Sequence, residues 1–281
     1  MEEMYEFRIF EEYAHHLFAA NEGKRLGELA RKVVLPPDDP RFKRIGELNA
    51  LFKKERKDFF FAGWDIRRRY TADTLKRAKL FLLCRIATFE PAGEKCGTQY
   101  DELTACPNCK SGAKQVSSLF LDWKRIPKSK DIARTIAGEI VVSNRMLDLF
   151  NRHSITGANF GPVCHRPVSS AESKEWFQLL VKSCDAEVAA PTKTGINPFD
   201  EDMEGQYRCS RGDLIGLARL SEVSISCSSY NGSDIVASRQ FVGTRRGLLR
   251  PEPFLLISPR LQRLIKEEKL TGCEFEVAHL V

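Results

Sequence analysis

Two segments of this chain, 115 positions apart, carry the same pattern without a gap. Residues 140–163 read IVVSNRMLDLFNRHSITGANFGPV, and residues 255–278 read LLISPRLQRLIKEEKLTGCEFEVA. Identical residues keep this separation along the whole unit, at Ser143 and Ser258, Arg145 and Arg260, Leu149 and Leu264, Thr156 and Thr271, Gly157 and Gly272, and Phe160 and Phe275. An ungapped match of this length indicates an internal duplication, so the chain must fold into two copies of one unit.

Each copy predicts a strand, a helix and a second strand. The first apolar run ends at a serine suited to N-capping, and in the second copy Pro259 follows at the first helical position, where its missing N–H costs nothing. Apolar residues then recur at helical spacing, and a glycine ends the helix before a short strand. The pattern therefore predicts a pseudo-duplicated strand-helix-strand scaffold.

The N-terminal region predicts helices. Residues 5–33 carry apolar positions at helical spacing and predict two helices broken near Gly23. Further helices are expected at 45–54 and at 71–79, with Thr71 as a cap, and strands at 58–66 and 80–89.

The nine cysteines point to a reduced protein. Their number is odd, and the sequence begins MEEMYEFRIFEEYAHHLF, which lacks the basic start and apolar run of a secretory signal. No stretch has the apolar length of a membrane helix. We therefore expect a cytoplasmic protein without a membrane partner, whose cysteines bind metal or are simply buried.

A pair of cysteines three positions apart predicts a metal knuckle. Cys106-Pro-Asn-Cys109 would direct both sulfurs at one ion on a tight turn, and the Cys96-Gly97 pair resembles half of a second knuckle. For the fourth ligand Cys209 is the first candidate, because CSRG at 209–212 looks like a knuckle without its second cysteine; the alternatives are Cys164, His165 and Cys84. The expected cofactor is a structural zinc ion held by Cys96, Cys106, Cys109 and Cys209, against the alternative of buried apolar cysteines.

Positive charge is concentrated in one segment. Residues 51–80 contain ten Lys or Arg and four acids, an excess equal to the net charge of +6 of the whole chain. Because aromatic residues are interleaved, segment 53–79 is a candidate nucleic-acid or protein-binding surface, with Arg67, Arg68, Arg69, Lys76 and Arg77 as its contacts. The alternative is a solvated helix face beside an aromatic strand.

Several of these motifs together resemble a bacterial family. EPAGE at 90–94, Cys96-Gly97, CPNC at 106–109 and LTGCEF at 270–275 are similar to motifs of the double-CxxCG proteins, and the closing module also looks like the C-terminal unit of immunity proteins of polymorphic toxin systems. The resemblance covers residues 80–281. The sequence departs from the double motif, since Lys110 replaces the expected glycine and the other CxxC is reduced to Cys96. The resemblance implies a cytoplasmic protein that binds and neutralises a cognate toxin.

The sequence thus predicts an α+β fold, with N-terminal helices, the pseudo-duplicated scaffold and a zinc-knuckle insertion. The expected domains are a helical, basic region at 1–80, the knuckle with the first repeat at 81–170, and an acidic loop, strands and the second repeat at 171–281. Nucleophile elbows, P-loops and dinucleotide fingerprints are absent from the sequence, and we expect a binding protein rather than an enzyme. The leading function is toxin neutralisation; the alternative is a zinc-ribbon protein that binds nucleic acid through segment 53–79.

Overall fold

The protein has an α+β fold with two compact units. A computed structural model describes residues 1–55, 58–166 and 171–281. The first unit comprises Met1–Arg77 with Asn197–Glu201, and the second comprises Ala78–Ile196 with Asp202–Val281. None of the helices within these described ranges is long and apolar enough to cross a membrane.

The first unit is a four-stranded antiparallel sheet with a helix packed on one face. Its elements are β1 (Glu2–Phe10), α1 (Glu11–Ala14), β2 (Lys24–Leu26), β3 (Ala30–Leu35), α2 (Pro40–Glu55), β4 (Phe61–Arg69) and α3 (Ala72–Arg77). The sheet has the order β2-β3-β1-β4. Phe7 and Ile9 of β1 are fully buried and belong to the same core cluster as Ile45 and Phe52 of α2.

The prediction of two helices in residues 5–33 is wrong, because this region folds mainly as strands β1, β2 and β3. Apolar residues at helical spacing were present, but Phe7 and Ile9 alternate with the polar Glu6 and Arg8, and β1 pairs with both β3 and β4. These distant pairings outweigh the local pattern. The helix expected at 45–54 is confirmed within α2, and α3 is confirmed with its cap, since Thr74 N–H donates to Thr71 Oγ1 at 3.2 Å.

The rest of the chain is built mostly of short strands. Its elements are β5 (Leu80–Cys84), β6 (Ala87–Phe89), α4 (Gly93–Cys96), β7 (Tyr100–Asp101), β8 (Lys114–Gln115), β9 (Leu119–Leu121), β10 (Ile132–Thr135), β11 (Ile140–Ser143), α5 (Asn144–Arg152), β12 (Ala158–His165), β13 (Glu172–Val181), β14 (Thr194–Asn197), β15 (Asp200–Glu201), β16 (Ala218–Arg219), β17 (Val223–Ile225), β18 (Ile235–Val242), β19 (Glu252–Ile257), α6 (Pro259–Glu267) and β20 (Glu274–Leu280).

The predicted duplication is confirmed in these elements. One copy forms β11-α5-β12 and the other β19-α6-β20. Both helices begin at the predicted serine: Ser143 Oγ accepts from Met146 N–H at 3.4 Å, and Ser258 Oγ accepts from Leu261 N–H at 3.1 Å. Pro259 occupies the start of α6, as its fixed φ favours.

The duplication extends beyond the segments that show sequence identity. One sheet of the second unit has the order β6-β10-β11-β13-β12-β9, and another has the order β18-β19-β5-β20-β17. If β6 is left out, the two strand orders correspond one to one. The strand directions correspond as well: neighbouring strands are antiparallel in both sheets, except for the last pairs, β12–β9 and β20–β17, which are parallel. Phe81 of β5 lies opposite Ile257 and Val277. Phe177 of β13 lies opposite Val142 and Pro162, which are the residues 115 positions before Ile257 and Val277.

The strand that precedes each copy in sequence lies in the sheet of the other copy. β5 precedes the first copy in sequence, yet it lies in the centre of the sheet formed by the second copy's strands. β13 precedes the second copy and lies in the centre of the first copy's sheet. After each of these strands the chain crosses to the other sheet, where β6 pairs with β10, and Ala186 forms a parallel bridge with Ser238 of β18. The first sheet is thus built from residues 87–181, whereas the second cannot form without β5, which lies on the far side of the first copy in sequence.

Two buried aspartates join the copies. Asp131, just before β10, accepts from Ser143 Oγ of its own copy at 2.9 Å and from Thr271 N–H of the other copy at 2.9 Å. Asp234, just before β18, accepts in the same way from Ser258 Oγ at 2.7 Å and from Thr156 N–H at 3.1 Å. The two arrangements are related by a pseudo-twofold axis, and each carboxylate satisfies donors from both copies.

The glycine expected to end each helix does not do so, because α5 ends at Arg152 and α6 at Glu267, and Ser154 and Lys269 take the positive φ after them. Gly157 and Gly272 are required instead by the neighbouring copy. Gly157 and Gly272 have φ of +96° and +111°, and a Cβ on them would lie 2.0 Å and 2.1 Å from the carbonyl oxygens of Ile235 and Ile132. Such contacts are sterically forbidden, and the backbone of the opposite copy cannot move without breaking its sheet.

We expect Gly157→Ala to destabilise the protein by about 3 kcal/mol or more, because it combines the left-handed backbone penalty with this clash. Gly232→Ala is the control: its φ is +78°, and a Cβ there would meet nothing within 4 Å. The control should cost only about 1–2 kcal/mol. Urea denaturation of both variants measures the difference, and equal losses would show that the two copies are not in close contact at Gly157.

Candidate metal centre

Four ligand-type side chains converge in the second unit. The sulfurs of Cys106, Cys109 and Cys209 and a carboxylate oxygen of Asp213 all lie within 4.8 Å of one another. All four residues are buried, and Cys106 and Cys109 have no exposed surface. The structure thus brings together three of the four predicted ligands and adds an aspartate.

Cys106 and Cys109 lie on a tight turn of the kind expected for a knuckle. Cys106 N–H donates to Ser111 O at 2.8 Å, and Lys110 N–H donates to Cys106 O at 2.9 Å. Lys110 has a φ of 62°, in the left-handed region that favours glycine. This is the position at which the CxxCG motif that the sequence resembles has glycine, so Lys110 adopts the backbone conformation expected there although the residue differs.

Cys209 lies on a turn with almost the same bonds. Cys209 N–H donates to Asp213 O at 3.1 Å, and Gly212 N–H donates to Cys209 O at 2.8 Å. Gly212 also has a positive φ, of 81°. The second turn therefore repeats the first but is one residue shorter.

The shorter turn explains the ligand set. Matching the backbone bonds aligns Cys209 with Cys106, Gly212 with Lys110, and Asp213 with Ser111. Between these ends the second turn has two residues where the first has three, and neither of the two is a cysteine. Asp213 supplies an ionisable oxygen as the fourth donor of the cluster. Each turn precedes the outer parallel strand of its sheet, β9 or β17.

Hydrogen bonds hold the Asp213 carboxylate at the centre of the cluster. Oδ2 accepts from Ser111 Oγ at 2.6 Å and lies 3.3 Å from the sulfurs of both Cys109 and Cys209, while Oδ1 accepts from Phe241 N–H at 2.9 Å. Burial raises the pKa of this carboxyl, but the bonds from Ser111 and Phe241 outweigh it, and the net shift is downward. The carboxylate is thus ionised at neutral pH.

The thiols differ in their ease of ionisation. A hydrogen bond from Cys109 N–H lowers the pKa of Cys106 to about 7. Burial raises the pKa of Cys109 to about 11 and also raises that of Cys209. Metal binding requires thiolates, and burial disfavours the thiolate forms of Cys109 and Cys209. A cation at the centre of the cluster would stabilise both thiolates.

The donor set fits a metal ion. Three sulfurs and one carboxylate oxygen can complete a tetrahedron around an ion about 2.3 Å from each sulfur with small side-chain adjustments. The four residues can therefore bind a metal, and a tetrahedral set with no place left for water is typical of structural sites.

The structure does not bring Cys96 to this cluster, which corrects the expected ligand set. Cys96 is the last residue of α4, is buried, and is followed by Gly97 at a φ of 109°. Gly97 N–H bonds to the carbonyls of Gly93 and Glu94. The Cys-Gly pair therefore forms a helix C-cap, which has the same sequence as half a knuckle.

The other candidate ligands also lie elsewhere. Cys164 is buried in β12, and the ring of His165 packs 4.9 Å from that of Trp123. Cys84 lies in β5, where burial raises its pKa to about 12. The expectation that the cysteines outside a metal site are buried is wrong for Cys184 and Cys227, which are both exposed.

The basic segment is less available than its sequence suggests. Arg68 is buried in an ion pair with Glu3 at 2.7 Å, whereas Arg67 is exposed and lies 3.5 Å from Glu6. Arg77 pairs with Asp73 one helical turn away, and Arg69 and Lys76 are exposed. The segment's Arg56 and Lys57 lie outside the described residues.

Its aromatic residues do not form a stacking surface. Phe60 and Phe61 are buried in the core of the first unit, and Trp64 packs against that core. Phe59 is exposed by 53%. The aromatic residues between the basic ones therefore serve mainly to pack β4 against α2.

Asp213 was missed because carboxylates are common in surface loops and its spacing matches no zinc motif. A signal was present, since CSRGD at 209–213 could have been aligned with CPNCKS at 106–111 by allowing one deletion. Only the backbone bonds show that this is the correct alignment.

We expect purified protein to contain about one metal ion per chain, and Cys106→Ser or Cys209→Ser to reduce this close to zero. Cys96→Ser is the control, since Cys96 is a buried cysteine outside the cluster, and it should keep the metal. Elemental analysis after gel filtration measures the content. Full metal content in Cys209→Ser, or loss in Cys96→Ser alone, would contradict the ligand set.

Asp213 has a separate test in cobalt-loaded protein. Asp213→Cys should retain the ion and intensify the sulfur-to-cobalt charge-transfer absorption, because a fourth thiolate replaces the carboxylate. Asp213→Asn should weaken zinc affinity by at least about tenfold, as loss of a charged partner at a metal site does. An absorption spectrum unchanged in Asp213→Cys would show that residue 213 does not contact the metal.

The chain was also compared with known proteins. No protein-family model matches the sequence, and no curated protein matches it. The assignment of the metal centre therefore rests on the geometry and chemistry of Cys106, Cys109, Cys209 and Asp213.

Proposed function

We propose that this protein is a non-enzymatic binding protein of the immunity type, stabilised by zinc, that neutralises a cognate toxin in the cytoplasm. The observation that carries the proposal is the buried Cys106, Cys109, Cys209 and Asp213 cluster, which draws two ligands from each copy of the duplication. The toxin as partner comes from the resemblance of residues 80–281 to immunity proteins.

The donor set supports zinc as the ion. Three thiolates favour soft or borderline metals, and zinc prefers the tetrahedral arrangement that a closed set of four ligands gives. A reduced compartment is needed to keep these cysteines as thiols, which supports the cytoplasm as the location. The full burial of Cys106 and Cys109 favours a structural role over a catalytic one.

A structural metal in this position supports a scaffold role. The two turns are loops without regular secondary structure, and loops of this kind need a cross-link to hold one conformation. Zinc would fix the first copy's turn to the second copy's turn and so give the unit a rigid surface. Rigid surfaces bind protein partners with a lower entropic cost.

The alternative, nucleic-acid binding through segment 53–79, receives less support. Arg68 is buried in its ion pair, and the aromatic residues that would stack on bases are mostly in the core. Of the candidate contacts, Arg67, Arg69, Lys76 and Arg77 are exposed, and this charge can also serve an acidic protein partner.

We expect the chain to bind the product of the adjacent toxin gene with a one-to-one stoichiometry, measured by calorimetry with a catalytically inactive toxin. Zinc-depleted protein should bind more weakly, because the two turns lose their cross-link. Cys96→Ser should bind like the wild type, since Cys96 lies outside the metal cluster. Co-expression should restore growth of cells that carry the active toxin.

Absence of binding by zinc-loaded protein would contradict the proposal. Binding to single-stranded DNA or RNA that weakens steeply with salt, and is lost in a variant with Arg67 and Arg69 replaced by Gln, would favour the alternative. If neither partner binds and the protein turns over a substrate, both proposals are wrong.

A further inference from the structure

Three surface segments of the second unit are anchored at the metal cluster. Segments 102–111 and 207–213 contain the four candidate metal ligands. In the third segment, 243–250, Arg245 N–H donates to Cys109 O at 3.2 Å. The position of each segment therefore depends on a metal ligand or on a backbone bond to one.

Ion pairs fix the third segment against the first. Glu102 accepts from Arg250 Nη2 at 2.8 Å and also pairs with Arg245. Glu94 Oε1 pairs with the same two arginines, at 3.0 Å with Arg250 and at 3.1 Å with Arg245. The two positive and two negative charges balance, so this network holds the surface together and leaves no charge for a partner.

Two exposed leucines lie next to this network. Leu103 follows Glu102 in sequence and is 96% exposed, and Leu249 precedes Arg250 and is 47% exposed. The turn that carries Leu249 is closed by two backbone bonds with Arg246, both 3.0 Å long. Single exposed leucines are ordinary, but two on adjoining segments that are ion-paired to each other form an apolar patch, which is typical of a protein-interaction site.

Unpaired positive charge lies around the same turns. Four exposed basic residues are within two positions of a metal ligand or of Arg245, namely Lys110, Arg208, Arg211 and Arg246. None of the four forms an ion pair with another residue in the described ranges. The Arg211 guanidinium extends over the other turn, since its Nη1 lies 3.7 Å from the place of a Cβ on Gly112. A divalent ion with three thiolates and a carboxylate would carry two negative charges, which these four cations exceed.

We propose that the cognate toxin docks on this surface through an acidic patch with an apolar centre. The docking surface comprises Leu103, Leu249, Lys110, Arg208, Arg211 and Arg246. The proposal rests on the toxin-neutralising function proposed above, and it adds the place and the chemistry of the contact. An apolar centre with a polar rim is typical of protein–protein interfaces, whereas single-stranded nucleic acids need aromatic side chains to stack on, and the apolar residues here are aliphatic.

The dissociation rate tests the apolar centre. Zinc-loaded protein and the catalytically inactive product of the adjacent toxin gene are followed by surface plasmon resonance. Leu103→Ala should raise koff about tenfold with little change in kon, because the complex loses the burial of a leucine side chain. Leu29→Ala is the control and should bind like the wild type, since Leu29 is 80% exposed and belongs to the first unit.

The association rate and its dependence on salt test the charged rim. Replacing Arg211 and Arg246 together by Gln should lower kon about fivefold at low ionic strength, and the difference should shrink as salt screens the charges. The matched control replaces Arg263 and Lys266 of α6 by Gln, because both are exposed and neither forms an ion pair within the described part of the chain. Elemental analysis should find the metal in every variant, since none of the changed residues is a ligand.

The outcomes separate this proposal from the proposed function. If the zinc-loaded wild type binds the toxin, and Leu103→Ala and the double arginine variant bind equally well, the toxin docks elsewhere and only the docking surface is wrong. If the wild type does not bind the toxin, both proposals are wrong. If a single-stranded RNA binds, and its affinity falls in the double arginine variant but not in Leu103→Ala, the surface serves a nucleic acid and the docking proposal is overturned.

Discussion

The exchange of β5 and β13 is the constraint on which the second unit depends. Each strand lies in the centre of the sheet that the other copy forms, so both of its edges are paired with strands of that copy. Asp131 and Asp234 also link the two copies, since each carboxylate accepts hydrogen bonds from a serine of its own copy and from a backbone N–H of the other copy. The two sheets have separate core clusters, but each cluster includes side chains of a strand that precedes the other copy, Leu80 and Leu82 of β5 in one and Trp176 of β13 in the other.

The metal cluster follows from this arrangement. Because the copies are related by a pseudo-twofold axis, their equivalent turns meet, and the cluster takes two ligands from each, Cys106 and Cys109 from one and Cys209 and Asp213 from the other. The symmetry is incomplete at the metal, since the second turn is one residue shorter and supplies a carboxylate as its second ligand.

Features that depend on residues close together in the chain were predicted correctly more often than features that depend on distant residues. The strand-helix-strand units were predictable because their serine caps and apolar stripes are local features with fixed spacing. The glycines expected to end the helices were misassigned, since Ser154 and Lys269 take that position. Residues 5–33 were misassigned because β1 is stabilised by β3 and β4, which are distant in sequence. Cys96 was misassigned because a helix C-cap and half a knuckle both have a Cys-Gly pair, and only the backbone angles distinguish them.

The sequence by itself determined the duplicated unit, its helix caps and the knuckle at Cys106 and Cys109, since each depends on residues close together in the chain. Tertiary structure alone decided that β5 and β13 exchange places, that Asp213 joins the cysteines, and that Gly157 and Gly272 must be glycines. The physical reason is the same in each case. These features depend on a backbone or side chain from the opposite copy, and sequence spacing carries no information about which distant segments come into contact.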